Sequence, residues 1–510
     1  MNVANSTEIQ GLKEKNESLQ KEVTHLNEQL NWLKRQIFGK RSERIIDDQG
    51  KYEILHFPYY DELESEESTS SPTTVVPEHK RRKTKSSGKD KISFPDDLPV
   101  ESTVIDLPEK EKIENELGKP LERIGEEVTQ KLAHKPGSYY IKEIIRPKYA
   151  VELNGESTIM TADLPDSIIS KCRVDESFLA DVLTKKFADH LPFYRINEIQ
   201  SRDEIYVSRQ LMSQWVIRIG EELKPLHDRI LSKILESNNV FIDETPVKMQ
   251  AKGLGKTHQA YMWVLAGGQG SDPPYRHFNF RLNRKHEHAQ NLLKSYKGVL
   301  HSDKYGAYET LASQKKVIWC PCWVHIRRQF IDAETGDLKF RSWVLRKINQ
   351  LFRFEKVAWA RTEEERLWIR KEKEILIIDE LIGEIKAKLQ ECDFPKRSKY
   401  RKALGYFVSL IPYLKNYTFH ANARMDNNVA ERSIRPLAIG RKNWLFVGSE
   451  KGGEAAAVIY SLVQTCRCLQ INPREYLEDV FRRLMSHNFQ DLDQLLPDIW
   501  HKNRVNSGLE

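Results

Sequence analysis

Between residues 239 and 330 the chain runs through five short apolar segments, and two of them hand over directly to an aspartate. Asn239-Val-Phe-Ile-Asp-Glu-Thr-Pro delivers Asp243, and Gly298-Val-Leu-His-Ser-Asp delivers Asp303. Short runs rich in β-branched and aromatic residues predict buried strands. Gln259-Ala-Tyr-Met-Trp-Val-Leu and His277-Phe-Asn-Phe-Arg-Leu predict two strands between them, and Val317-Ile-Trp-Cys-Pro-Cys-Trp predicts a fifth. Glu287–Tyr296, Tyr305–Leu311 and the segment from His325 to Phe330 predict helices, so the order is βββαβαβα. A lone aspartate at a strand end is ordinarily a turn or cap residue. Two of them, at the ends of the first and fourth strands of this order, meet if those strands are neighbours.

That order predicts an α/β fold of the ribonuclease-H-like (retroviral-integrase-like) kind. Two divalent cations, about 3.5–4 Å apart, can activate the attacking oxygen and stabilise the leaving oxygen of an in-line phosphoryl displacement. Such a centre needs a third carboxylate, because Mg2+ takes oxygen ligands. Asp426-Asn-Asn-Val-Ala-Glu-Arg offers one: Asp426 or Asn427 can cap a helix and Glu431 falls about one turn in. The bland alternative is a Glu431–Arg435 pair at i, i+4, worth roughly 0.2–0.5 kcal/mol. Gly440-Arg-Lys-Asn-Trp-Leu-Phe-Val-Gly follows, setting Arg441 and Lys442 beside Trp444 and Phe446. That mixture suits backbone phosphates and unstacked bases; a core strand with two solvated charges is the other reading.

The N-terminus carries a different period. Ile9, Asn16, Val23, Leu30 and Ile37 fall at a positions of a heptad, and Leu12, Leu19, Leu26 and Leu33 at d. A 3.5-residue repeat needs a partner helix, and Leu at d with β-branched residues at a favours a parallel dimer, in which Asn16 fixes register. The alternative is an amphipathic helix folding back on its own domain. An acidic run from Asp61 to Glu67, a Ser/Thr/Pro stretch and the basic His79-Lys-Arg-Arg-Lys-Thr-Lys then read as a linker that cannot bury enough apolar surface to fold. Its basic half either lies along phosphates or is merely solvated. Tyr139, Tyr140, Ile141, Ile144, Ile145 and Tyr149 predict a small β-rich module.

From Ser177 the pattern is helical: Phe178, Leu179, Val182, Leu183 and Phe187 form a stripe, Leu191-Pro-Phe-Tyr-Arg breaks it, and Ser208 caps a later helix. A helix-turn-helix is one reading of these helices and a plain bundle the other. The domain expectation is therefore a coiled coil at 1–45, a charged linker at 46–92, a β-rich module at 93–165 and a helical region at 166–235. A catalytic core at 236–450, with a helical insertion at about 340–420, and a C-terminal helical tail at 451–510 complete it. Lys and Arg total 81 against 74 Asp and Glu, a net +7 that permits nucleic-acid binding without demonstrating it. No run approaches the roughly 18 apolar residues of a membrane span. Six cysteines make no disulfide framework, and no signal-peptide layout opens the chain, so a cytoplasmic protein is expected. Cys320 and Cys322 near His325 have a spacing that a metal could use. Buried thiols and a helix-start histidine are the expected reading, and no cysteine is given a role.

Phe241-Ile-Asp-Glu-Thr, Ser302-Asp-Lys-Tyr, Cys322-Trp-Val-His-Ile-Arg-Arg, Asp426-Asn-Asn-Val-Ala-Glu-Arg and Gly440-Arg-Lys-Asn-Trp-Leu-Phe together resemble the hallmarks of the insertion-sequence-66 family of bacterial DDE transposases. Phe38-Gly-Lys-Arg-Ser-Glu-Arg and Leu191-Pro-Phe-Tyr-Arg extend the likeness nearly end to end. The resemblance implies a DDE triad of Asp243, Asp303 and Glu431 holding two Mg2+ ions, with Mn2+ as a substitute, and an insertion between Ser342 and Leu414. It implies metal-dependent strand cleavage and strand transfer at insertion-sequence ends and on target DNA. A homodimer or larger assembly and small accessory proteins of the same element are implied as well. Arg327, Arg328, Asn427, Asn428, Arg441, Lys442 and Trp444 are the candidate DNA contacts. The chain departs from the family where paired cysteines build a small zinc module: Glu114, Leu117 and Val151 stand at those places and no cysteine precedes Cys172, so zinc is not expected there. An inactive, element-derived DNA-binding protein and a nuclease without joining activity are the rival readings.

Overall fold

The long strand β5 (Asn239–Ala251) organises the molecule. Its first three residues are the middle of a sheet, paired in parallel with β8 (Val299–Ser302), whose other edge carries β9 (Ile318–Pro321), also parallel. Its second edge pairs antiparallel with β6 (Lys256–Ala266), and β6 pairs antiparallel with β7 (Arg276–Arg281). The sheet order is β7-β6-β5-β8-β9, within a mixed α/β fold. The β5–β6 ladder continues from Phe241 opposite Ala266 to Ala251 opposite Lys256. Asp243 therefore does not end its strand as expected; it marks where β8 stops while β5 runs on to Ala251. The reason is β6, which goes on satisfying the backbone of β5 after its parallel neighbour has left.

The computed structural model describes residues 166–506, apart from 171, 252–254 and 269–273, together with residues 44–46, 52–54, 137, 139, 148–153 and 156–161. The heptad residues 9–37, the acidic and basic runs of the linker and most of the 93–165 module lie outside the described residues. Two three-residue strands, β1 (Arg44–Ile46) and β2 (Tyr52–Ile54), pair antiparallel where the linker was expected to begin. The chain divides into two compact units, residues 68–163 forming the smaller. In that unit β3 (Lys148–Leu153) and β4 (Glu156–Thr161) make an antiparallel hairpin. Leu153 faces Glu156 in this ladder.

Among the described residues four helices precede the sheet: α1 (Glu176–Phe187), α2 (Phe193–Ser201), α3 (Arg209–Glu222) and α4 (Lys224–Leu235). The predicted stripe holds, since Leu179, Val182, Leu183 and Phe187 are all buried, and the Ser208 hydroxyl accepts from the Leu211 N–H at 3.2 Å as an N-cap. Between the strands lie α5 (His286–Leu292) and α6 (Gly306–Ser313), and α7 (Trp323–Asp332) leaves β9. The insertion is helical as expected: α8 (Leu338–Trp359), α9 (Glu363–Ile369), α10 (Ile375–Gln390) and α11 (Lys399–Leu410), with one π-turn at Arg370–Glu374. Then come α12 (Asn428–Trp444), α13 (Glu450–Cys468), α14 (Pro473–Arg483) and α15 (Pro497–Asn506). Among the described residues no helix is long and apolar enough to cross a membrane.

The region expected as a tail is part of the core. α13 is apolar nearly all round and buried along most of its length, as such a helix must be. It covers the edge of the sheet: the Phe278 N–H donates to Ser461 Oγ at 2.8 Å and the Arg276 N–H to Thr465 Oγ1 at 3.0 Å. Two outward backbone donors of the edge strand are thereby satisfied, and a covered edge is a poorer template for aggregation. Close approach requires small residues: a Cβ on Gly453 would sit 2.6 Å from the Phe280 ring, and one on Gly220 of α3 would sit 2.5 Å from Ala455. Ion pairs continue the lock, Arg482 of α14 reaching Asp175 at 2.6 Å.

Candidate active site

The acids meet because of register. Phe241 pairs with His301 across β5 and β8, and their rings stack at 4.3 Å. Residues two apart share a face of a strand, so two residues onward the same register leads to Asp243 and Asp303, both half-buried. Glu431 comes from elsewhere in the chain. It lies one turn into α12, and the start of that helix is fastened to β5 by Asn427. The Asn427 side-chain amide donates to the Ile242 carbonyl at 2.9 Å, and its backbone N–H donates to Cys322 Sγ at 3.3 Å. The Trp323 N–H donates to the Met425 carbonyl at 2.9 Å, and Asp426 Oδ1 accepts from the Asn428 N–H at 3.0 Å. Asn427 takes the cap position without a side-chain cap bond, and Asp426, one residue earlier, accepts from the first helical N–H.

The electrostatics report the same clustering. Burial pushes the Asp243 carboxyl well above the ordinary carboxylate range, and the negative charges of Asp303, Glu244 and Glu431 push it further. The Glu244 N–H, 2.8 Å from Asp243 Oδ1, offsets part of this. Burial, with Glu244 adding, raises Asp303 to about 6, against the opposing pull of Arg284. Asp303 Oδ1 is buried and has no hydrogen-bond partner among the described residues. Like charges held together at low dielectric leave a demand for positive charge.

Glu244 belongs to this neighbourhood and was missed by sequence reasoning. Strand alternation turns it away from Asp243, and its side chain is 2% exposed. Arg284 Nε donates to its Oε1 at 2.6 Å and the Tyr308 hydroxyl to its Oε2 at 3.1 Å. Arg284 also lies 4.5 Å from the Tyr305 ring centroid. Its pairing with an acid 40 positions upstream leaves no local signature in the sequence.

The expected DNA contacts divide. Asn427 is completely buried and Arg327 nearly so, its Nε donating to Asn349 Oδ1 at 3.0 Å. Both face the protein interior, where DNA does not reach. Asn428 and Arg328 are half-buried. Arg441 sits at the end of α12 with a guanidinium N–H donating to Thr245 Oγ1 at 2.6 Å and to the Pro246 carbonyl at 2.7 Å. Lys442 is exposed, and Trp444 is half-buried with the Lys186 ammonium 5.9 Å from its ring. Neither strand nor loop forms at Gly440–Trp444; the segment completes α12, and only Val447 bridges to Met249 on the free edge of β5. The exposed face of α12 carries Arg432, Arg435, Ile439 and Lys442, a basic stripe leading away from Glu431.

Replacing Asn427 by Ala strands the Ile242 carbonyl and loosens the side-chain tie between the start of α12 and β5. Leaving a buried acceptor unpaired costs about 1–3 kcal/mol. A loss of that size in urea unfolding, with unchanged affinity for DNA, is the expected outcome; weakened DNA binding with normal stability would instead place Asn427 at the nucleic acid.

Comparison with known sequences identifies the family. The profile described as "Transposase IS66 family" matches residues 171–455, from ahead of α1 through the start of α13, and so contains all three acids. "IS66 C-terminal element" matches 461–497, and "Transposase C of IS166 homeodomain" matches 25–103. Two uncharacterized proteins of Sinorhizobium fredii are similar. One, y4qI, is 32% identical over 71% of this chain and 68% of its own length. The other, y4jD, is 29% identical over 96% of this chain and 97% of its own. The chain belongs to the IS66 family of transposases.

Proposed function

We propose that the chain is a DDE transposase whose triad is Asp243, Asp303 and Glu431, set on a ribonuclease-H-like core. The observation that carries the reading is the convergence of three carboxylates from β5, the end of β8 and α12, fastened by Asn427. The sheet order, with its three antiparallel strands followed by two parallel ones, supports the fold assignment. The residues fit a pair of Mg2+ ions: the donors are carboxylate oxygens, Asp303 Oδ1 is buried without a partner among the described residues, and the nearby Arg284 is already engaged by Glu244. Bound there, the ions would supply Lewis-acid activation of the attacking oxygen and stabilisation of the leaving one. The chain itself contributes the acids that hold them, the Glu244–Arg284 pair that steadies the strand beside them, and the stripe from Arg432 to Lys442 that receives phosphates.

In this reading the heptads at 9–37 dimerise the protein and the segment matched by the homeodomain profile contributes to recognition of element ends. The protein works on nucleoid DNA in the cytoplasm. Incubation of the full chain with end-bearing DNA and Mg2+ tests the assignment. Joined product is the expected result. Cleavage without joining identifies a nuclease, and end binding with neither identifies a DNA-occupying remnant.

The raised carboxyl of Asp303 sets a pH dependence. Between its ordinary value near 4 and about 6, the metal-free folded chain keeps a proton that the unfolded chain has released. Stability of the metal-free protein therefore falls as pH rises through that window. Cation binding needs the ionised form, so the Mg2+-induced rise in melting temperature is expected to be small near about pH 5 and to grow above about pH 6. An equal rise across that range would show that Asp303 takes no part.

A further inference from the structure

The geometry points to a second metal site, for Zn2+, formed by Cys322, His325 and Glu431. Sequence spacing alone left Cys322 and His325 as packing residues. The structure adds a third donor from α12 and brings the three donor atoms within 4.8 Å of one another. His325 Nδ1 lies 3.6 Å from Glu431 Oε1. Ligand atoms of a tetrahedral zinc ion bound at about 2.0–2.3 Å stand roughly 3.4–3.6 Å apart. The histidine–glutamate edge already has that length, and small side-chain rotations bring in the sulfur.

The environment of each donor suits a soft cation. Cys322 is 2% exposed and stands at the start of α7, where backbone N–H groups of Asn427, at 3.3 Å, and His325 are directed at its sulfur. Converging backbone donors stabilise a metal-bound thiolate as its outer shell. His325 Nδ1 is buried with no hydrogen-bond partner among the described residues, as an imidazole nitrogen awaiting a cation would be. Cys320, two positions earlier in the chain, is excluded from the group although its spacing looks equivalent. A thiolate, an imidazole and a carboxylate form a donor set for zinc, with a fourth position left for water, and one that Mg2+, which takes oxygen, does not favour.

Glu431 is the residue shared with the triad proposed above. A zinc ion holds it toward α7, so occupancy of this site and of the Mg2+ pair compete for one carboxylate. Metal binding can be measured without DNA, so failure of this inference is separable from failure of the transposase reading.

The test is Co2+ titration of the full-length protein followed by absorption spectroscopy. A sulfur-to-cobalt charge-transfer band and strong visible bands of a tetrahedral site are expected, saturating at about one ion per chain and bleached by Zn2+ but not Mg2+. Cys322→Ser is expected to abolish the charge-transfer band. His325 is 23% exposed in its side chain, more open than the buried thiol, so His325→Gln is a second report on the site should Cys322→Ser disturb folding; it is expected to weaken Co2+ binding at least tenfold. Cys172→Ser and Cys468→Ser, which change half-buried thiols elsewhere, are expected to keep the full spectrum. Absence of the bands, or bands that form in His325→Gln with unchanged Co2+ affinity, overturns the proposal.

Discussion

Asp243→Asn is expected to lower strand cleavage and joining by at least about a thousandfold while raising the stability of the metal-free protein. The two effects have one origin. Asp243 is buried among Asp303, Glu244 and Glu431, and its charge is disfavoured in the fold; in the proposed reading a bound cation offsets that cost. The carboxamide preserves the shape and removes the charge, so repulsion is relieved and the cation loses a ligand. Stabilisation on the order of 1 kcal/mol is the expected size for relief of this kind at a functional site. Urea unfolding in chelator, beside a strand-transfer assay in Mg2+, reads both. A variant that is inactive and also less stable would falsify the picture of mutually repelling acids, and near-normal activity would remove Asp243 from the chemistry.

Arg370→Ala is expected to be the most destabilising single change in the insertion. Arg370 is fully buried in the π-turn and forms a fork on Glu355, with bonds of 2.6 and 2.8 Å. The rest of its guanidinium donates to the carbonyls of Tyr417, His420, Ala421 and Ala423 at 2.8–3.3 Å. Nearby Glu374 is pushed well above its ordinary range by burial and by Glu355, and accepts from the Tyr417 hydroxyl at 2.8 Å. Truncation leaves Glu355 buried without its partner and the loop carbonyls without donors. Breaking a buried pair from one side costs about 3–5 kcal/mol. The loop so released leads directly to Asp426 and Asn427, so loss of activity is expected in excess of the loss of folded protein. Arg370→Lys is expected to rescue little, because a single ammonium cannot reproduce the fork. A loss below about 1 kcal/mol in urea unfolding would show the cluster to be dispensable.

The three acids proposed for the centre stand out in the sequence because their signals are local. Asp243 and Asp303 each follow an apolar run, and Glu431 sits a turn beyond an Asp-Asn start. The five strands and the helical insertion appeared at the expected places for the same reason. What could not be read depends on partners remote in the chain. Arg327 looked like a phosphate ligand because it is basic and next to Arg328, yet its partner is Asn349 on the following helix. Asn427 looked polar and available, and its amide is spent on the carbonyl of Ile242. The continuation of β5 past Asp243 depends on pairing with β6, not on its own residues. The misreading of α13 was avoidable: Ala455-Ala-Ala-Val-Ile-Tyr-Ser-Leu-Val is apolar on every face, the mark of an interior helix.

The place of α13 bears on how this protein is made and how its gene decays. The ribosome finishes the sheet at Pro321 and supplies the helix that covers β7 only from Glu450 onward. Until Ser461 and Thr465 emerge, the outer strand presents bare donors beside Phe278 and Phe280. The edge of the sheet can therefore be closed only after α13 has been made. A nonsense or frameshift mutation ahead of α13 yields no shorter transposase and no DNA-occupying inhibitor built on this core. It yields a chain with an open sheet edge, destined for aggregation or proteolysis.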